Sequence, residues 1–211
     1  MSVALVLGPG LSDLAGGALA GGARTRVRAV DESPPARAAG LRELFSAGAD
    51  SVLVVDQAFP VRPDWARSGG LFALVADHIN LTGDNPLVGP NADEWGPRFP
   101  DLTDAWDPAT RRAIRERAVR SGVHVDEGVV AGVAGAARTA AELEMLRMIG
   151  ADMASTGFVH EAIVARHAGR RLAGIAVLGG GTELPGEVAA VAKLVRLALD
   201  TMADPAIRGG E

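Results

Sequence analysis

The chain has 211 residues, of which 48% are hydrophobic and 22% charged, and a formal net charge of −5. Length and apolar content suit one globular domain over residues 1–211 with a full core, and an acidic balance without a basic stripe argues against a nucleic-acid partner. The absence of cysteine excludes disulfide scaffolds and thiolate metal sites, and it fits a reducing, cytoplasmic setting.

The opening MSVALVLGPG lacks the basic and long apolar regions of a secretion signal. No run reaches the roughly 18 apolar residues that a membrane span needs, so no membrane association is expected. Val3–Leu7 is a short, unbroken apolar run ending in Gly8-Pro9-Gly10, which reads as a buried strand, a tight turn and then a helix. Thr25–Val30 alternates as an edge or half-buried strand does. Ser33 stands as an N-cap before a helix over Pro34–Ala47, and Ser51–Val55 and Leu71–Ala76 are further buried strands.

From Asp77 to Trp106 roughly thirty residues show no periodic element, the pattern of a functional or interface loop. Asp107-Pro108 then opens a helix that reaches Ser121 and is closed by Gly122. Gly128–Ala131 reads as a strand. Thr139-Ala140-Ala141-Glu142 is a capping box, its helix carrying Leu143, Leu146 and Ile149 as an apolar stripe and ending at Gly150. Val159–His167 is a helix, Leu172–Leu178 a strand, and Pro185–Met202 a final amphipathic helix. This alternation predicts an α/β fold with a largely parallel or mixed sheet.

Three blocks in and beside the loop carry a family resemblance: Asp77-His78-Ile79-Asn80-Leu81, Asn85-Pro86-Leu87-Val88-Gly89-Pro90-Asn91, and Arg98-Phe99-Pro100 through Ala105-Trp106-Asp107. In this order they resemble the trimeric purine nucleoside phosphorylases and their methylthioadenosine phosphorylase relatives, and the likeness continues from Thr139 to Gly169. The resemblance implies a nucleoside phosphorylase-like three-layer fold, with a mixed, mainly parallel sheet flanked by helices. It also implies that the long loop helps to build a trimer, either a homotrimer or a mixed trimer with a homologue. No cofactor is implied; phosphate would enter only as a co-substrate.

At the positions where the resemblance places chemistry, this chain departs from the family. The phosphate loop Gly-Ser-Gly becomes Gly8-Pro9-Gly10, losing a hydroxyl and an N–H. The segment that supplies an arginine, a histidine and a tyrosine is replaced by Asp31 through Arg37. No histidine precedes His78, and the chain has no tyrosine. The Thr-Asn-Ala-Ala-Gly-Gly turn aligns with Val55-Asp56-Gln57-Ala58-Phe59-Pro60, which cannot take the same dihedrals.

Arg138 stands where the family has its base-binding glutamate, exchanging an acceptor for an obligate donor. Thr156 and Gly157 take the places of a methionine–serine pair, and Gly180 that of the base-binding asparagine. The candidate catalytic residues are therefore Asp56 and His160. Gly8, Gly10, Gln57, Arg138, Thr156, Gly157 and Gly180 are the candidate ligand-binding residues, and a small nucleoside-like or anionic molecule is the expected ligand. His78 and His167 fall in framework blocks, and His124 is expected at the surface. No histidine spacing suggests a metal site.

Two functions remain open on the sequence. One is a binding or assembly component without the family's phosphorolysis. The other is a divergent phosphorylase or nucleoside-processing glycosyltransferase whose site has been rebuilt.

Overall fold

The computed structural model describes residues 2–11, 14, 24–27, 32–68, 72–135, 139–179 and 188–208. In chain order the elements are β1 (Val3–Leu7), β2 (Arg24–Val27), α1 (Pro34–Ser46), β3 (Ser51–Pro60), α2 (Pro63–Ser68), β4 (Phe72–Leu81), α3 (Pro108–Arg120) and β5 (Asp126–Val133). Then follow α4 (Ala140–Met148), β6 (Met153–Ser155), α5 (Val159–His167), β7 (Arg171–Leu178), α6 (Val188–Ala203) and a 3-10 turn at Pro205–Arg208.

The seven strands run in the order β2-β1-β3-β6-β5-β4-β7, and a further β3–β7 pairing closes the last five into a ring. Five pairings are parallel: β1–β2, β1–β3, β3–β7, β4–β5 and β5–β6. Two, β3–β6 and β4–β7, are antiparallel. The mixed, mainly parallel sheet flanked by helices agrees with the fold expected from the resemblance.

Strand β1 shows why its sequence is apolar without alternation. Ala4 and Val6 pack with Ala38, Leu41 and Phe45 of α1 and with Ala162 and Ala165 of α5. Val3, Leu5 and Leu7 pack on the other side with Ile114 and Ala118 of α3 and with Val191, Leu194 and Ala198 of α6. A strand covered by helices on both faces has no polar side to present, so both parities are apolar.

Local signals place several element ends. The Asp107 side chain accepts from Thr110 N–H at 2.7 Å, and the Thr139–Glu142 capping box forms in both directions. Gly122, Gly150 and Gly169 close their helices at positive φ, the conformation that glycine adopts without a Cβ penalty. Ser33 has N-cap backbone angles, but its side chain makes no capping bond.

Other expectations need correction. The Asp77–Leu81 block continues β4, so the loop begins at Thr82. The bulge between Val75 and Asp77 explains this, because it breaks the period-two burial pattern while the ladder with β5 continues. On α4 only Leu146 is buried, and Ile149 is 46% exposed. The short β6 and α2 have no periodic signature. The strand expected over Thr25–Val30 is described at Arg24–Val27, and the helix start expected at Pro185 lies outside the described residues.

Candidate functional site

Gly8 and Gly10, at the end of β1, are glycines for different reasons. Gly10 has φ 82°, whereas Gly8 is needed for space: a Cβ there would lie 1.8 Å from Asp56 Oδ1. Gly8 N–H donates to the Val55 carbonyl at 2.8 Å, which holds the turn against β3. Asp56 is only 3% exposed, and its Oδ1 accepts from Gln57 N–H at 2.7 Å.

Beyond Asp56 the strand runs on where the family motif would turn. Phe59 and Pro60 pair with Ala154 and Met153 of β6, so the replaced glycines become sheet. The lack of an N–H on Pro60 is tolerated because it ends the strand. Ser155 Oγ donates to the Gln57 carbonyl at 2.7 Å and accepts from Gly157 N–H at 3.1 Å. That hydroxyl ties the β3 candidates to Thr156 and Gly157.

The chain then passes through Phe158, a fully buried residue with φ 74°, before α5 begins. For a bulky side chain this backbone costs about 1–3 kcal/mol and is held only by its surroundings. Here Phe158 packs edge-on against Trp106, with ring centroids 6.1 Å apart.

His160, in the first turn of α5, is buried beside Arg37 of α1, and both are less than 7% exposed. Arg37 Nη1 donates to the Thr156 carbonyl at 2.9 Å and to His160 Nδ1 at 3.2 Å, and Arg37 Nε donates to the Glu32 carbonyl at 3.1 Å. Glu161, 1% exposed, lies 3.8 Å from the same guanidinium. On its other side His160 Nε2 is 3.4 Å from Thr82 Oγ1.

The structure thus brings Gly8, Asp56, Gln57, Thr156, Gly157 and His160 into one linked set, at the ends of β1 and β6 and within β3. Gly10 stays in the turn, and Arg138 and Gly180 lie outside the described residues. Sequence reasoning misses Arg37, Ser155, Thr82 and Glu161. Arg37 sits in a segment that reads as the loss of an arginine–histidine pair, yet in space it meets a histidine more than a hundred residues away. No local pattern carries that signal.

The remaining histidines anchor the loop or lie at the surface. Trp106 Nε1–H donates to His78 Nδ1 at 3.1 Å, and burial holds the His78 pKa below its ordinary value against the opposing charge of Asp77. His167 Nε2 lies 3.2 Å from Asn91 Oδ1, and its pKa is also lowered, first by burial and then by the Arg42 charge. The His124 side chain is 78% exposed.

Two surface concavities flank α3, away from these residues. One of about 470 Å³ is lined by Arg111, Arg112 and Arg115 with Glu127, and one of about 720 Å³ by Arg120, Lys193 and Arg196 with Asp200. They form a local basic row that the mixed sequence conceals. Much of it is internally satisfied: Arg111 and Arg115 pair with Glu127, and Lys193 donates to the Ser121 carbonyl.

A sequence profile of the Phosphorylase superfamily matches residues 23–206. Purine nucleoside phosphorylase 1 of Geobacillus stearothermophilus is 37% identical over 139 residues, which are 65% of this chain and 50% of the relative. A putative purine nucleoside phosphorylase of Schizosaccharomyces pombe is 42% identical over 115 residues, covering 52% and 36% respectively. Among solved structures, a schistosoma purine nucleoside phosphorylase in complex with hypoxanthine superposes with TM-score 0.76 at 24% identity, covering 95% of this chain and 88% of that one. A purine nucleoside phosphorylase in complex with ribose-1-phosphate gives TM-score 0.79, also at 24% identity, over 96% and 89%.

The chain belongs to the phosphorylase superfamily, and the relatives and solved structures named above are purine nucleoside phosphorylases. It spans about half the length of the curated relatives it matches. No helix among the described residues is long and apolar enough to cross a membrane.

Proposed function

We propose that this protein retains the purine nucleoside phosphorylase scaffold without ordinary phosphorolysis, and acts in the cytoplasm as a binding or assembly component. The observation that carries this reading is the course of β3. Where the resemblance calls for a flexible Gly-Gly turn beside the sugar and phosphate, Phe59 and Pro60 are paired into the sheet. Arg37, a buried cation beside α5, spends both Nη1 protons on Thr156 and His160. Removing one preorganised donor from such a site typically costs about 2.7–4 kcal/mol in the transition state, so several such losses bring turnover close to background.

Assembly is supported by the loop. Phe99 is 87% and Val88 79% exposed, and the loop that presents them is pinned by Arg98, which donates to the carbonyls of Leu87 and Gly89 at 2.9 and 2.6 Å. A large aromatic group held rigidly in water suits an interface. A trimer, with further copies or with a homologue, is the assembly proposed.

The second reading is a divergent phosphorylase or nucleoside-processing glycosyltransferase in which Asp56 and His160 act on a small nucleoside-like or anionic ligand. The strained Phe158 between the two candidate clusters favours it, because such backbone outliers gather at functional sites. Hypoxanthine release from inosine, measured with and without phosphate, separates the two readings. We expect no phosphate-dependent turnover. Turnover on the order of one per second, within the ordinary range for enzymes and lost in Asp56→Asn, would establish the second reading.

A further inference from the structure

Arg37, His160 and Glu161 are buried together, and neither reading of the function explains why the Arg37–His160 contact continues to the loop. The direction of its hydrogen bonds is set by chemistry. A guanidinium has only donors, so the short contact from Arg37 Nη1 makes His160 Nδ1 an acceptor. The proton of the neutral ring is then on Nε2, which faces Thr82 Oγ1 at 3.4 Å and donates to it.

A hydroxyl has one proton and two lone pairs. Thr82 Oγ1 accepts from Asp84 N–H at 3.2 Å and sends its own proton to the nearer of two acceptors, Asn80 Oδ1 at 2.7 Å. Asn80 Nδ2 in turn donates to the Asp84 carbonyl at 2.9 Å. Asn85 N–H then donates to Asp84 Oδ1, Leu87 N–H to Asn85 Oδ1, and Arg98 to the Leu87 carbonyl. The series polarised from Arg37 thus ends at Asp84, and the bonds from Asn85, Leu87 and Arg98 run back towards it from the other side, so a continuous network joins a buried cation on α1 to the residue before Phe99.

We propose that Arg37, His160 and Thr82 form a directional relay that positions the loop from Asn80 onward, making the wall of the candidate site and the loop carrying Phe99 one mechanical unit. His160 is in this role a positioning residue. Bonds polarised in one direction reinforce one another, so cutting either link releases the same segment. Only the consequence for self-association rests on the assembly reading.

The test uses Thr82→Val, which keeps shape and removes the hydroxyl, and His160→Asn, which keeps an acceptor for Arg37 but cannot reach Thr82. Each is expected to speed amide hydrogen exchange across residues 82–89 up to about tenfold, the worth of one hydrogen bond, while α3 and α6 stay protected. The double variant should be no faster than the quicker single one. Nitrogen NMR of the wild type should show His160 Nδ1 unprotonated and Nε2 protonated, a preference that weakens in Arg37→Met. Unchanged loop exchange in both single variants, additive effects in the double variant, or an Nδ1-protonated ring in the wild type would overturn the relay. If Arg37→Met does not fold, the wild-type spectrum and Thr82→Val decide alone. A loosened loop with unaltered light scattering would keep the relay and count against assembly through Phe99.

Discussion

Gly8 and Asp56 are matched in space: the Asp56 carboxylate occupies the volume that any side chain at position 8 would need. Gly8→Ala should therefore displace a buried carboxylate and cost about 1–3 kcal/mol, the usual range for overpacking. Denaturant titration of Gly8→Ala, Asp56→Gly and the double variant checks this. The double variant should be less destabilised than the sum of the singles, since the clash exists only when both side chains are present. Additive costs would mean that the two residues are not coupled.

The Trp106–His78 bond makes stability depend on pH. Its acceptor is His78 Nδ1, which a protonated ring cannot offer, and the His78 pKa is depressed by burial from its ordinary 6.5. A histidine depressed in the folded state contributes stability that is fully present above the unfolded pKa and is lost as pH falls through the folded one. The depressed His167 adds the same sign. Melting temperature should hold near pH 7.5 and fall from about pH 6.5 downward, the window set by the unperturbed imidazole. His78→Gln should flatten that slope; an unchanged slope would show that His78 does not carry it.

Trp95 and Phe99 should behave in opposite ways although both belong to the loop. Trp95 is half-buried, its ring 6.2 Å from that of Phe45 and 6.0 Å from the Arg42 guanidinium, whereas Phe99 is almost wholly exposed. Trp95→Ala should lower melting temperature. Phe99→Ser should leave it within the small range of surface changes, about ±0.5 kcal/mol, while weakening self-association seen by light scattering. Intact association in Phe99→Ser would remove this residue from the interface.

Thr139→Ala should remove one arm of the α4 cap, the bond from Glu142 N–H to Thr139 Oγ1 at 3.2 Å, and leave only the arm in which the backbone N–H of residue 139 meets the Glu142 carboxylate at 2.6 Å. The expected cost is about 1 kcal/mol. With only Leu146 of this helix buried, the loss should appear first as faster amide exchange in residues 140–148. Uniform exchange across the whole chain instead would mean that α4 unfolds only with the core.

Most elements were legible in the sequence because they rest on local causes. The unbroken apolar runs of β1 and β7, the Asp107 and Thr139 caps, and the glycines at 122, 150 and 169 each act within a few residues of themselves, and the Val159–His167 helix stands as predicted. The family blocks are likewise contiguous, so the fold could be named from them.

What only the tertiary structure decided depends on groups far apart in the chain. The β4 bulge carries the Asp77–Leu81 block into the sheet because β5 is there to pair with it. Pro60 ends a strand because β6 lies beside it. Trp106, a loop residue by sequence, becomes core because Phe158 and His78 close around it. Arg37 meets His160 only because α1 and α5 cover the same face of the sheet. A hydrogen bond or a packed ring needs a partner at about 3–6 Å, and in a folded chain that partner is chosen by topology, which residue spacing along the sequence does not encode.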